Sequence, residues 1–332
     1  MRIFILNIIL LCFSISAIAE KPLVVATASI FADMTSTIGG DLIEVKTIVP
    51  IGGDPHTYEP KPSDIMLINE ASLILKNGLS FEKWISELID NSGTKANSII
   101  ITEGIEAIGS ESYENTPDPH AWMDAENGLI YAKNIHQALL DLLPEEKESL
   151  DKNLEHYLEQ IKKMHEYIQT KVKEIPVEQR ILITSHDAFK YYGRKYGIEL
   201  ESILGTSTDA EAQTKDFRRI NNLISKKNVP AVFIETTVNP KMLSQIAEDN
   251  NIIIGGSLYS DSLGDEDSEA SSYLKMLEFN TNTIVKALSR QTSTEQLDQP
   301  SEEVNSMARL FVIIAAIFLL IIGFLVSKRI AR

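Results

Sequence analysis

The sequence predicts an α/β fold: two α/β lobes with parallel-type sheets joined by one long rigid helix, plus a C-terminal transmembrane helix. Three patterns predict it. Short β-branched runs alternate with amphipathic stretches, once over residues 20–125 and again over 180–290, which is the layering of α/β units rather than of a β-sandwich. Between these series an apolar stripe at helical spacing runs from Pro144 to Ile175. Near the end, Leu310 to Val326 is a run of 17 residues without a charge.

At the start, Arg2 precedes an apolar stretch from Ile3 to Phe13, and small residues ending in Ala17-Ile18-Ala19 follow. This is the layout of a secretory signal peptide, residues 1–19, cleaved after Ala19. The only cysteine, Cys12, would leave with it, so the mature chain is expected to hold no disulfide and no thiolate ligand.

In the first lobe, "LVVATAS", "IEVKTIV", "SLILKNG" and "SIIITEG" predict strands, and "IFADMTSTIGG", "KPSDIMLINEA" and "FEKWISELIDNSG" predict helices. A helical segment covers 126–179, including the inter-lobe helix. There Leu150, Leu154, Leu158, Ile161, Met164, Ile168 and Val172 make one stripe on a helix of about 30 residues. In the second lobe "RILITS", "IELESIL", "AVFIE" and "NIII" predict strands. The helices are one from Asp187, one across 210–228, "PKMLSQIAEDN", and a closing helix over 268–290.

Residues 291–306, polar and acidic, predict a flexible tether. Residues 307–327 predict the membrane span, and Lys328, Arg329 and Arg332 in the tail 328–332 place that end in the cytoplasm. The expected location is therefore the cell membrane, single-pass, with the globular part periplasmic or on the cell surface. A formal net charge of -16 excludes nucleic acid as a partner, because phosphate binding needs a basic face. A monomer is expected.

Chemistry concentrates in the histidines, of which there are six. His136, His156 and His165 fall on the predicted helices, where they are expected to be ordinary surface residues. The other three fall at strand ends or loops: His56 in "DPHTYEP", His120 in "DPHAWMD" and His186 directly after "RILITS". In open α/β sheets such positions line the crevice beyond the carboxyl ends of the strands. Pro55 and Pro119 restrict the backbone before two of these imidazoles and so pre-aim them. Three imidazoles facing one crevice suggest a metal. A fourth ligand is expected from "GGSLYSDSLGDE", where Asp261, Asp265, Glu266 and Asp267 are all candidates on chemistry alone.

Taken together, "GGDPHTYEPKPSD", "DPHAWMD", "TSHDAFKYYGRKYGIE" and "GGSLYSDSLGD" resemble the metal-binding solute-binding proteins of ABC transporters for zinc and manganese, the TroA-like group also described as lipoprotein adhesins. The resemblance covers residues 20–290. It implies His56, His120, His186 and Asp261 as the metal ligands, with the ion held between two lobes. It also implies a function: capture of a divalent metal outside the cytoplasm and delivery to an ABC transporter permease in the same membrane, without catalysis.

Two departures bear on the ion. The loop "EGIEAIGSESYENTP" lacks the histidines that zinc members often carry there, whereas His186 stands where manganese members often have Glu. Three imidazoles and one carboxylate suit Zn²⁺ best, with Mn²⁺ open. The C-terminal span is a third departure from the family pattern. A metal-dependent hydrolase is the alternative from another class, but the chain has no H-E-x-x-H pair. A surface adhesin is suggested only by the family's name.

Overall fold

The computed structural model describes residues 20–109, 116–209 and 212–289. The signal segment 1–19, the tether 291–306, the span 307–327 and the tail 328–332 lie outside the described residues. Among the described residues, no helix is long and apolar enough to cross a membrane.

Leu23–Ala26 (β1), Glu44–Thr47 (β2), Leu73–Lys76 (β3) and Asn97–Ile100 (β4) form one parallel sheet in the order β2-β1-β3-β4. Val24 pairs with Val45 on one side and Leu73 on the other. The central strands β1 and β3 are covered on both faces, which is why they read as unbroken apolar runs. Crossovers are made by Ser29–Gly39 (α1), Pro62–Glu70 (α2) and Ile85–Ser92 (α3). Helix α1 buries Ile30, Phe31, Met34 and Ile38 on one face and stops at Gly40, whose φ of 52° suits glycine. Helix α2 starts where Pro62 supplies a pre-set φ and the Asp64 carboxylate accepts the Lys61 N–H at 2.7 Å.

Ala125–Leu142 (α4) opens on Asp124, whose side chain accepts the Glu126 N–H at 2.9 Å. Lys147–Val172 (α5) is 26 residues long, about 39 Å at the standard rise. It is shorter than the stripe suggests because Pro144–Glu146 forms a separate 3-10 turn. Leu150, Ile161, Ile168 and Val172 of that stripe are buried, each worth about 1.5–3 kcal/mol, and Leu154, Leu158 and Met164 pack partly against the same core. The histidines on these helices do not all behave as expected. His156 is exposed, but His136 is buried between α4 and α5 with its Nε2 2.9 Å from Asp151, and His165 is half-buried with its Nδ1 3.2 Å from the Tyr196 hydroxyl.

The second series gives Ile181–Thr184 (β5) parallel to Glu199–Ser202 (β6), and Ala231–Glu235 (β7) parallel to Ile253–Leu258 (β8), with β5 packed beside β7. Its helices are Lys190–Tyr196 (α6), Thr214–Lys227 (α7), Lys241–Asp249 (α8) and Tyr273–Leu288 (α9). Helix α6 begins three residues later than expected, because the Asp187 N–H is taken by the Gly205 carbonyl at 3.1 Å. Helix α9 begins at Tyr273 rather than 268, where the Ser272 side chain caps the Lys275 N–H. Strand β8 continues to Leu258 through Gly255 and Gly256, past a register shift at Val232/Phe233; a Cβ on Gly255 would stand 2.6 Å from the Phe233 ring.

The main hydrophobic core runs without interruption from the first sheet to the strands of the second series. Val24, Phe31, Tyr131, Ile161, Leu182, Phe233 and Leu277 all belong to it. Smaller clusters lie on the outer faces, under α2 and α3 and under α7 and α8.

Candidate metal centre

Each of the four candidate ligands leaves the fold from a connection that follows a strand. His56 lies on the loop between β2 and α2, His120 caps the 3-10 turn Ala121–Met123, His186 follows β5, and Asp261 follows β8. These connections meet at the carboxyl ends of the strands, as open α/β sheets favour. One ligand atom from each of His56, His120, His186 and Asp261 lies within 4.8 Å of the others. His120, His186 and Asp261 are fully buried, and the His56 side chain is 3% exposed. The other sequence candidates, Asp265, Glu266 and Asp267, are not part of the group.

The Nε2 atoms of His56 and His120 face each other at 3.1 Å. Asp261 Oδ1 lies 3.3 Å from His120 Nε2 and 3.9 Å from His56 Nε2, while Oδ2 lies 3.2 Å from His186 Nε2. Both ring nitrogens of His186 and Asp261 Oδ1 are buried without a hydrogen bond of sound geometry. Lone pairs converging on one point, with buried atoms left unsatisfied, are what a cation would complete. Aromatic rings close the apolar side: Phe81 stands edge-on to His56 at 4.9 Å and Trp122 to His120 at 5.3 Å.

Behind two of the imidazoles stands a buried carboxylate. Asp118 Oδ1 accepts the His120 backbone N–H at 2.9 Å and lies 2.8 Å from its Nδ1. Glu235, at the end of β7, places Oε1 2.8 Å from His186 Nδ1 while Oε2 accepts the backbone N–H of Ser185 at 2.7 Å and of His186 at 3.2 Å. A carboxylate on Nδ1 fixes the tautomer that leaves Nε2 free for a metal. His56 is held differently: Asp54 accepts its backbone N–H at 2.9 Å, but the other Asp54 oxygen goes to the hydroxyls of Thr57 and Thr208. The two D-P-H motifs therefore share a turn and differ in what backs the ring.

Electrostatics follow from this layout. Burial pushes His56 down to about 3, and the imidazoles of His120 and His186 act in the same direction. Burial also opposes charge on His120, but Asp118 and Asp261 outweigh it and hold His120 up to about 9. His186 is raised well above the usual imidazole range, with burial overcome by Asp261 and Glu235. Burial works against a charged Asp261 too, yet His186 and His120 hold it well below the usual carboxylate range. The cluster thus demands positive charge, which protons or a dication can supply.

The family model described as ZnuA, zinc-uptake complex component A, periplasmic, matches residues 24–287. The chain belongs to this family. Among ZnuA relatives, the manganese ABC transporter substrate-binding lipoprotein PsaA of Streptococcus anginosus is 35% identical over 279 residues, 82% of this chain and 90% of that one. The metal ABC transporter substrate-binding lipoprotein FimA of Streptococcus parasanguinis is 34% identical over 285 residues, 83% of this chain and 92% of that one. The periplasmic zinc binding protein TroA from Treponema pallidum has a solved structure that superposes with a TM-score of 0.78 at 32% identity, covering 82% of this chain and 100% of that one. These ZnuA relatives are substrate-binding proteins, not enzymes.

Sequence reasoning named the four converging side chains but missed the groups that orient them. Glu235 carried a signal: it is the acid closing the strand "AVFIE", at the same sheet end as His186. Asp118 carried one too, since it belongs to the repeated motif. Phe81 carried none, because its loop turns through three successive positive φ angles at Gly78, Leu79 and Ser80 that no pattern announced.

Proposed function

We propose that this chain captures a divalent transition metal, zinc or manganese, outside the cytoplasmic membrane and delivers it to an ABC-type permease for uptake. His56, His120, His186 and Asp261 are the proposed ligands. The observation that carries the proposal is the meeting of these side chains within 4.8 Å, drawn from segments up to 205 positions apart (261 − 56), with two of the rings backed by buried acids. A neutral imidazole and a buried carboxylate are the donors that borderline-soft dications favour. The cation supplies the positive charge that the acids demand, and this chain's residues hold it away from water.

Two lobes bridged by α5, over the boundaries 20–125, 126–179 and 180–290, remain the organisation we favour, with the ligands supplied from either side of that helix. Anchorage by the C-terminal segment 307–327 is part of the proposal. Its support is the uncharged run Leu310–Val326 followed by Lys328, Arg329 and Arg332, and a sole cysteine, Cys12, that lacks the small residues expected before a lipidation site. A tether over 291–306 would hold the loaded protein near the permease and raise its local concentration.

Titration of the purified protein with zinc and manganese, followed by elemental analysis, tests the site. Replacing His56 or Asp261 with alanine is expected to weaken binding by at least about a hundredfold; an unchanged dissociation constant would refute the ligand assignment. A chain ending at Ser289 is expected to bind metal unchanged but to support uptake less well, and equal uptake would refute the tether.

A further inference from the structure

Helix α8 is charged against its own dipole. Its first turn holds no acid and its last turn no base; instead Lys241 stands at the amino end, and Glu248 and Asp249 at the carboxyl end. A helix is stabilised by the opposite arrangement, so each of these charges is misplaced within the chain. All three residues are exposed, and among the described residues neither the Lys241 ammonium nor the Glu248 carboxylate has a hydrogen-bond or ion-pair partner. Lys241, Gln245 and Glu248 follow one another at spacings of four and three, which puts them on one face of the helix. That face borders a groove whose other wall is the start of β8, where Ile253 and Ile254 are 43% and 41% exposed. Ile254 pairs with Val232 and Ile253 with Ala231, members of two different core clusters, so the isoleucines leave opposite faces of the sheet and each is only half covered.

One occupant answers all of these features: a second copy of the same helix laid antiparallel. At the standard rise, Lys241 and Glu248 are about 10 Å apart along the axis. A two-fold axis beside Ser244 and Gln245, midway between them, sets Lys241 of each copy near Glu248 and Asp249 of the other. The charges that oppose the dipole in one copy then face the complementary end of the other, and the two dipoles lie antiparallel. The isoleucines beneath lose their contact with water. A foreign helix would need the same order of charges, whereas the chain supplies it to itself. Pairing through the β8 edge alone is unsuited, because the register shift at Val232/Phe233 skips Gly255 and kinks the ladder. We propose that this chain forms a symmetric dimer through α8 and the exposed isoleucines of β8, where its sequence alone leads to a monomer. The contact is one short helix and part of a strand, below the area of a permanent dimer, so the pair forms and parts readily. Anchorage in one membrane, as proposed above, would favour it by concentrating the copies. None of these residues is among the metal ligands.

The test uses the full-length chain with Cys12→Ser, which leaves it without cysteine. A residue beside a two-fold axis meets its own copy, so Gln245→Cys is oxidised with diamide and the product followed on non-reducing gels. Lys162→Cys, on the exposed side of α5, is the control for chance collision. The oxidation is run on the purified protein in detergent and again in the membranes of the cells that produce it. Gln245→Cys is expected to form a disulfide-linked dimer at least about tenfold faster than the control. Adding Lys241→Glu or Glu248→Lys is expected to slow the reaction about tenfold, and adding both to restore most of it, because the exchange rebuilds the pairing with its signs reversed. Urea unfolding of each variant, expected to match the parent, checks that the fold is kept. Equal rates for Gln245→Cys and the control, or no rescue by the double exchange, would overturn the proposal. A membrane product of a mass other than twice the chain, in place of the dimer, would assign the face to another protein and overturn it as well.

Discussion

Replacing Glu235 with glutamine keeps the shape of the side chain and removes one acceptor and one charge. Both oxygens of Glu235 are in use: Oε2 takes the N–H groups of Ser185 and His186 at 2.7 and 3.2 Å, and Oε1 faces His186 Nδ1 at 2.8 Å. Glutamine has one oxygen for these three donors. If that oxygen keeps the backbone amides, the new NH₂ faces Nδ1 and drives the ring proton to Nε2, the atom needed by the cation. If the oxygen turns to Nδ1, the NH₂ meets two backbone donors head-on. In a site 2% exposed, water cannot repair either arrangement. Losing the carboxylate beside Nδ1 and one acceptor for the backbone amides costs about 1.5–3 kcal/mol, or roughly 10- to 100-fold in affinity. Competition titration of zinc against a chromophoric chelator measures it, with urea unfolding of the metal-free protein as a check that the variant is folded. A folded Glu235→Gln protein with undiminished zinc affinity would refute the claim that this acid sets the tautomer of His186.

Three further outcomes are expected. Burial holds Asp33 up to about 6, against the Tyr273 N–H it accepts and nearby Lys275. Because the folded value lies above the unfolded one, its contribution to stability is complete below about pH 4 and lost as pH rises through 6, on the order of 1–3 kcal/mol. Asp33→Asn should flatten that part of the unfolding curve of the metal-free protein, while Asp124, also held up to about 6 by burial, should keep the remainder. Gly193→Ala should destabilise by about 1–3 kcal/mol in urea, since a Cβ would stand 2.6 Å from the Ile198 carbonyl and closer still to the Leu200 side chain. Metal binding should raise the unfolding midpoint of the wild type and not of His56→Ala, measured by thermal scanning at matched ion concentration.

Much of the α/β layering was legible because the central strands are covered on both faces and so carry unbroken apolar runs. The stripe from Leu150 to Val172 was legible because a single face of α5 meets the core. Element ends were less so: Ser268–Ser271 looked helical by composition, yet Ser272 is the cap and the chain before it is turned by other contacts. His136 looked like a surface residue because its partner, Asp151, is fifteen positions away on the next helix. At the site, the histidines were visible through the repeated D-P-H and their positions at strand ends. Some of the groups around them, Glu235 and Thr237 among these, were harder to read because they act on their partners from across the fold. Thr237 and Asp261, for example, are 24 positions apart.

The apolar interior is shared by β1, β7 and the helices between them, so parting the two sides would expose many large side chains to water at once. A shared interior of this kind opposes escape of an ion by the shell swinging apart and leaves the short connections bearing the imidazoles as the parts with least to lose on loosening. Slow release of the ion from the isolated protein is the expected outcome, measured by chelator-driven dissociation; fast release would refute it.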